Sequence, residues 1–159
     1  MTDEMKIQHA RAMYEKTKEM LIEKGVKFQT DDEKMVINFI MGGDDIPMDI
    51  LIVSDAGGQK LRTLSKMPLT VNPDKMVEMA TAVCIANNGL YMGNFDYVLA
   101  EGVIFFAIQQ SFLGTDLSKD LIDLMVAATI DAVDKYNDRF LMLDKGMLTL
   151  EKFIEMEQQ

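Results

Sequence analysis

The chain has 159 residues, 48% apolar and 26% charged, with 26 acidic against 16 basic side chains and a net charge of -10. That length supports one domain, residues 1–159, with a core that needs neither disulfides nor metal. The acidic balance excludes nucleic-acid binding through phosphate neutralisation and docking on anionic lipid, because both need clustered Lys and Arg.

Cys84 is the single cysteine, so no intramolecular disulfide is available. Met1-Thr2-Asp3-Glu4 is acidic and has no apolar signal core, and no apolar run reaches the roughly 18 residues of a membrane span. The expectation is a cytoplasmic protein with no membrane contact. Met is as frequent as Leu, at 15. Met fills irregular cores and also recurs on adaptable binding surfaces.

The pattern begins with a helix from Asp3 to Lys24. Ile7, Ala10, Met13, Tyr14, Thr17, Met20 and Leu21 form its apolar stripe, and Gly25 stops it. Three strands follow: Lys34 to Met41, Met48 to Ser54, and Lys60 to Lys66. The last alternates weakly and reads as an edge strand. Gly42-Gly43-Asp44-Asp45 and Asp55-Ala56-Gly57-Gly58 join them as hairpin loops, so neighbours are antiparallel. A second helix opens at Asn72-Pro73-Asp74, with N-cap, first-turn proline and an acid at the positive end. Its predicted inner face is Met76, Val77, Ala80, Val83, Cys84 and Asn87, which makes Cys84 a buried thiol. Next comes a hairpin of Leu90 to Val98, the turn Ala100-Glu101-Gly102, and Val103 to Phe112. Tyr91, Phe95 and Tyr97 share one face of its first strand. The second is apolar on both faces, hence central and buried.

A third helix starts at Ser118, with Leu117 and Ile122 as a hydrophobic staple. Leu121, Leu124, Met125, Ala128, Ala132 and Tyr136 form one stripe; Ile122, Val126, Ile130 and Val133 form a second. A helix apolar on two sides buries two sides, one on the sheet and one on another helix or a partner subunit. Thr149 to Glu157 reads as a short frayed helix. Helices separating hairpin-linked strands give an α+β fold, an antiparallel sheet with helices packed on it, in the order α-β-β-β-α-β-β-α.

No catalytic constellation assembles. Gly42-Gly43-Asp44-Asp45 is similar to the GGDEF signature of diguanylate cyclases, but the second carboxylate strand and the phosphate-binding cations are missing, and it reads as a turn. His9 stands alone, the third-helix acids do not follow calcium-loop spacing, and Gly57-Gly58 lacks the Lys of a phosphate loop. No cofactor or metal is expected. The aromatic row Tyr91, Phe95 and Tyr97 is either core or an interface.

Asn88-Gly89-Leu90-Tyr91-Met92-Gly93-Asn94-Phe95-Asp96-Tyr97, followed by Glu101-Gly102-Val103-Ile104-Phe105, resembles the signature of the YbjN-like family of bacterial sensory-transduction regulators. Leu117-Ser118, Asp134-Lys135-Tyr136 and Lys145-Gly146 fit the same pattern, so the resemblance spans about residues 85 to 150. It implies a type III secretion chaperone-like fold, often paired as a homodimer, and brings no catalytic residues with it. The functional expectation is a non-enzymatic homodimer that binds a client or regulatory protein. Its candidate interface is Tyr91, Phe95, Tyr97, Ile122, Val126 and Ile130. The alternative is a small-molecule or nucleotide-responsive sensory domain using the Asp44-Asp45 hairpin.

Overall fold

Thr2 starts the first helix by accepting the Met5 backbone N–H on its side-chain oxygen at 3.2 Å. In the computed structural model, which describes residues 1–158, α1 then runs Asp3–Glu23 and ends at Gly25, whose φ of +71° suits glycine. Six strands follow: β1 Gln29–Asp31, β2 Val36–Met41, β3 Met48–Asp55, β4 Lys60–Lys66, β5 Asn94–Val98 and β6 Val103–Ser111. They form one sheet in the order β1-β2-β3-β4-β6-β5, with every neighbouring pair antiparallel. Helix α2 spans Met76–Asn88 after a single 3-10 turn, α3 spans Lys119–Asp144, and α4 spans Leu150–Glu157. The expected α+β order holds, with the short strand β1 added to it and the expected C-terminal helix present as α4.

The helices lie on one side of the sheet. Ile50, Ile52, Leu61, Thr63, Ile104 and Phe106 point toward them and are almost fully buried. Thr63 and Thr129 bring β4 and α3 close, their hydroxyls 2.7 Å apart. Ser65, further along β4, is 2% exposed and its hydroxyl has no partner. The odd-numbered residues of β4 therefore face the helices, and Lys60, Arg62, Leu64 and Lys66 face the other way.

β4 is not an edge strand. It lies between β3 and β6, and its polar look comes from a face that no second layer covers. β6 is central, as its composition predicts, but only Ile104, Phe106 and Ile108 enter the core. Phe105 and Ala107 sit half-buried on the uncovered face.

Helix α3 buries both apolar flanks inside the chain. It packs against β3, β4 and β6 of the sheet and against both α1 and α2. Ser118 caps it, accepting the Leu121 N–H at 3.1 Å. Leu124, predicted on the inner stripe, is exposed instead. Helix α4 is anchored rather than frayed. Phe153 is fully buried and packs on Tyr136 and Phe140, which in turn meet Phe95 edge-on at 5.3 Å. At its last turn the Glu157 carboxylate accepts from Tyr136 Oη at 2.6 Å and Lys135 Nζ at 3.0 Å, and pairs with Arg139. Burial alone raises the pKa of Glu157, but these three donors outweigh it and hold the carboxyl below its usual range.

The outer edge of β5 is closed by a side chain. Asn87, at the end of α2, donates from Nδ2 to the Phe95 carbonyl at 2.9 Å and accepts the Phe95 N–H on Oδ1 at 2.7 Å. One amide thus does the hydrogen bonding of a neighbouring strand at that residue.

Candidate protein-binding surface

Helix α2 carries one charged residue, Glu78, and that is paired with Lys75 Nζ at 2.7 Å. Its inner face is Met79, Ala82, Val83 and Ala86. This is a rotation from the sequence expectation. Met76, Val77, Ala80 and Cys84 face outward, and of the expected inner set only Val83 is buried. The reason is that α2 is apolar nearly all round, so periodicity alone does not choose a face. Cys84 is an exposed thiol, not a buried one.

The outward face forms a shallow apolar depression lined by Met76, Val77, Ala80, Thr81, Cys84 and Leu99. Val77 is 74% exposed and Leu99, in the turn after β5, 55%. Exposed apolar side chains scattered singly are ordinary, whereas these form a contiguous group on one helix and the adjoining turn, which makes this face the candidate interaction surface. Along α2 the stripe from Met76 to Cys84 is about 12 Å long at 1.5 Å per residue.

The predicted interface residues do not assemble into one surface. Phe95 is 2% exposed and makes edge-to-face contacts with Phe106, Tyr136 and Phe140. Ile122 and Val126 are buried between α3 and its neighbours, and Ile130 and Tyr97 are half-buried. Tyr91 stands apart from Phe95 and Tyr97. It precedes β5, in the loop before Gly93, and is 81% exposed. Burial of Tyr97 raises its phenol pKa, and the nearby Asp144 carboxylate adds to this. Met76, Val77 and Leu99 were not among the predicted interface residues. The signal that points to them is the near-absence of charge on α2 in a chain of net charge -10.

The Gly42-Gly43-Asp44-Asp45 segment is the loop between β2 and β3. The Asp44 N–H donates to Asp134 Oδ1 at 3.0 Å, and a Cβ on Gly43 would lie 2.2 Å from that same oxygen. The adjoining cleft gathers Asp44, Asp45, Asp131, Asp134 and Asp138 against Lys135 and Arg139. That excess of carboxylates repels phosphate. Among the described residues no group of His, Cys, Asp and Glu is arranged to hold a metal ion. His9 is half-buried at the boundary between α1 and the β3–β4 turn, with Nε2 2.9 Å from Asp116 Oδ1 and Nδ1 3.1 Å from Gln59 Oε1. Asp116 has its carboxyl pKa lowered, first by the hydrogen bond with His9 and then by Lys16. This set ties α1 to the start of α3. No helix among the described residues is long and apolar enough to cross a membrane.

The sequence profile of the YbjN family, described as "Putative bacterial sensory transduction regulator", matches residues 18–142. The chain belongs to the YbjN family. The match reaches well upstream of the region where the sequence resemblance was read, and it stops before α4. Among curated proteins no sequence matches. In fold the chain is similar to the crystal structure of the ExsC-ExsE complex, with a TM-score of 0.58 and 11% identity over 79% of this chain and 90% of that one. It is similar also to the crystal structure of YbjN from E. coli, with a TM-score of 0.51 and 11% identity over 74% of this chain and 83% of that one. At that identity the likeness is one of fold, and the fold is the secretion-chaperone-like one that the resemblance implied.

Proposed function

We propose that this YbjN-family chain is a single-domain, non-enzymatic cytoplasmic protein that binds other proteins in a chaperone-like or regulatory role, and that it works as a homodimer joined through α2. The observation that carries this reading is the uncharged outward face of α2, continued by Leu99. Two copies that each carry -10 repel one another at long range, so they associate best where neither presents a carboxylate. A two-fold contact needs a patch that complements itself, and a stripe of Met, Val, Ala and Cys side chains does so. A stable pair buries about 800 Å² per partner. One helix stripe is too small for that, so Val98, Leu99 and Tyr91 extend the contact in this reading. A fold neighbour solved in complex with a second protein, ExsE, supports the protein-binding role.

Sedimentation equilibrium at micromolar concentration tests the dimer. The wild-type chain is expected at twice its monomer mass. Val77→Asp is expected to be a folded monomer whose urea midpoint no longer depends on protein concentration, because Val77 is mostly exposed within one chain. A wild-type monomer, or a Val77→Asp dimer, overturns the proposed interface.

A further inference from the structure

The face of the sheet opposite the helices is uncovered, and its residues line up across the strands. Leu51, Leu64 and Ala107 are in register on β3, β4 and β6, forming an apolar row bounded by Asn38 on β2 and Asn94 on β5. Beside this row, β4 carries Lys60, Arg62 and Lys66. Ten of the sixteen lysines and arginines are in ion pairs; these three are among the six that pair with no carboxylate among the described residues, and of the three only Lys60 has a contact, a long one of 3.5 Å to Gln109. The carboxylates on the same face keep their charge and take hydrogen bonds from neutral donors. Asn38 donates to Asp49, Asn94 to Asp96, and the Gly58 N–H to Asp55. Asp55 lies opposite Lys60 across the β3–β4 pair, so what this face offers beside its apolar row is the unengaged charged donors of Arg62 and Lys66, the two cations that flank Leu64.

We propose that the open sheet face docks an amphipathic helix of a partner protein, one whose apolar stripe is bordered by Asp or Glu. Arg62 and Lys66 straddle Leu64, four residues apart on one strand, or about 14 Å. A helix with its side chains is about 10–12 Å across, so its stripe fits on Leu64 with a cation at each border. Arg62 presents a planar fork suited to a carboxylate, and Lys66 a point charge. A second copy packed face to face would oppose these cations with the same cations near the two-fold axis, so the occupant is a different, acidic chain. The net charge of -10 opposes the approach of any such chain. Selection therefore rests on contacts at this face and not on long-range steering. This inference rests on the protein-binding reading, and it does not depend on the α2 dimer.

The test uses the full chain, isotopically labelled for amide NMR, and two synthetic probes: an amphipathic helical peptide of Leu, Ala and Glu, and its counterpart with Lys in place of Glu. The Glu peptide is expected to shift the amides of β3, β4 and β6, and the Lys peptide to bind about tenfold more weakly or not at all. Arg62→Gln with Lys66→Gln is expected to weaken the Glu peptide about tenfold, with the urea midpoint confirming that the variant is folded. The same titration on Val77→Asp separates the two readings, since docking on the sheet face survives loss of the dimer. Equal binding of the two peptides, shifts confined to α2, or a wild-type sheet face already covered by self-association overturns the proposal.

Discussion

Gly93 and Gly114 both adopt left-handed backbone, with φ of +77° and +76°, but in different surroundings. A Cβ on Gly93 would lie 2.6 Å from Ile108 Cγ1, 2.7 Å from Phe106 Cζ and 2.8 Å from the Ala107 carbonyl oxygen. A Cβ on Gly114 meets nothing within 4 Å. Replacing either glycine by Ala brings the left-handed penalty, roughly 1–2 kcal/mol, partly offset by about 0.4–1 kcal/mol from the stiffer unfolded chain. Only Gly93→Ala adds crowding. Overpacking costs about 1–3 kcal/mol, and here one of the crowded atoms is backbone and cannot rotate away. Gly93→Ala is thus expected to lose about 2–4 kcal/mol and Gly114→Ala about 1 kcal/mol or less, against a total stability of roughly 5–15 kcal/mol. Urea unfolding followed by far-ultraviolet circular dichroism measures both. If the two variants agree within about 0.5 kcal/mol, comparable to the error of such comparisons, the close approach of the Gly93 loop to β6 is not what that glycine serves.

Three further outcomes follow from single groups. Ser65→Ala removes a buried hydroxyl that has no partner, so its melting temperature is expected to hold or to rise by the equivalent of up to about 1 kcal/mol; a clear drop would show that the hydroxyl is satisfied. Asn87→Ala leaves the Phe95 N–H and carbonyl unpaired, with an expected loss of about 1–3 kcal/mol and faster hydrogen exchange at the Phe95 amide; unchanged exchange there would remove the edge-closing role. Glu157 has a folded pKa below its unfolded value, so its contribution is complete above the unfolded value of about 4.3 and fades as pH falls through the folded one. Hydrogen exchange across that acid window is expected to show α4 opening before the sheet, with Glu157→Gln removing the pH dependence. Simultaneous opening of α4 and sheet in the wild type would refute this.

The helices and hairpins were legible because their signals are local. Ser118 starts a helix, Gly25 stops one, and Gly-Asp clusters turn the chain. The placement of β4 was not legible. A central strand with one bare face alternates buried and polar residues much as an edge strand does, and Lys60, Arg62 and Lys66 carry no mark of which it is. β1 is too short and too polar, at Gln-Thr-Asp, to stand out from a loop. The surface was harder still. The second apolar flank of α3 invites a partner when read alone, yet α1 and α2 cover it, so Ile122 and Val126 belong to the core. On α2 the apolar residues run nearly round the helix, and only packing decides that Met79 goes in and Val77 stays out. Phe95 was readable as core or interface, and its three aromatic neighbours make it core.

Asn87 has a consequence for how many chains can join. Growth of a sheet from molecule to molecule needs two open ends, one to offer a strand and one to receive it. Here the β5 end is stoppered at Phe95 by an amide from the chain's own helix, and β1 covers only the first three residues of β2 at the other. A molecule with a single open end can meet a second one there, edge to edge, and then nothing further adds. Asn87 therefore takes Phe95 out of the positions where an added strand could pair at this end of the sheet.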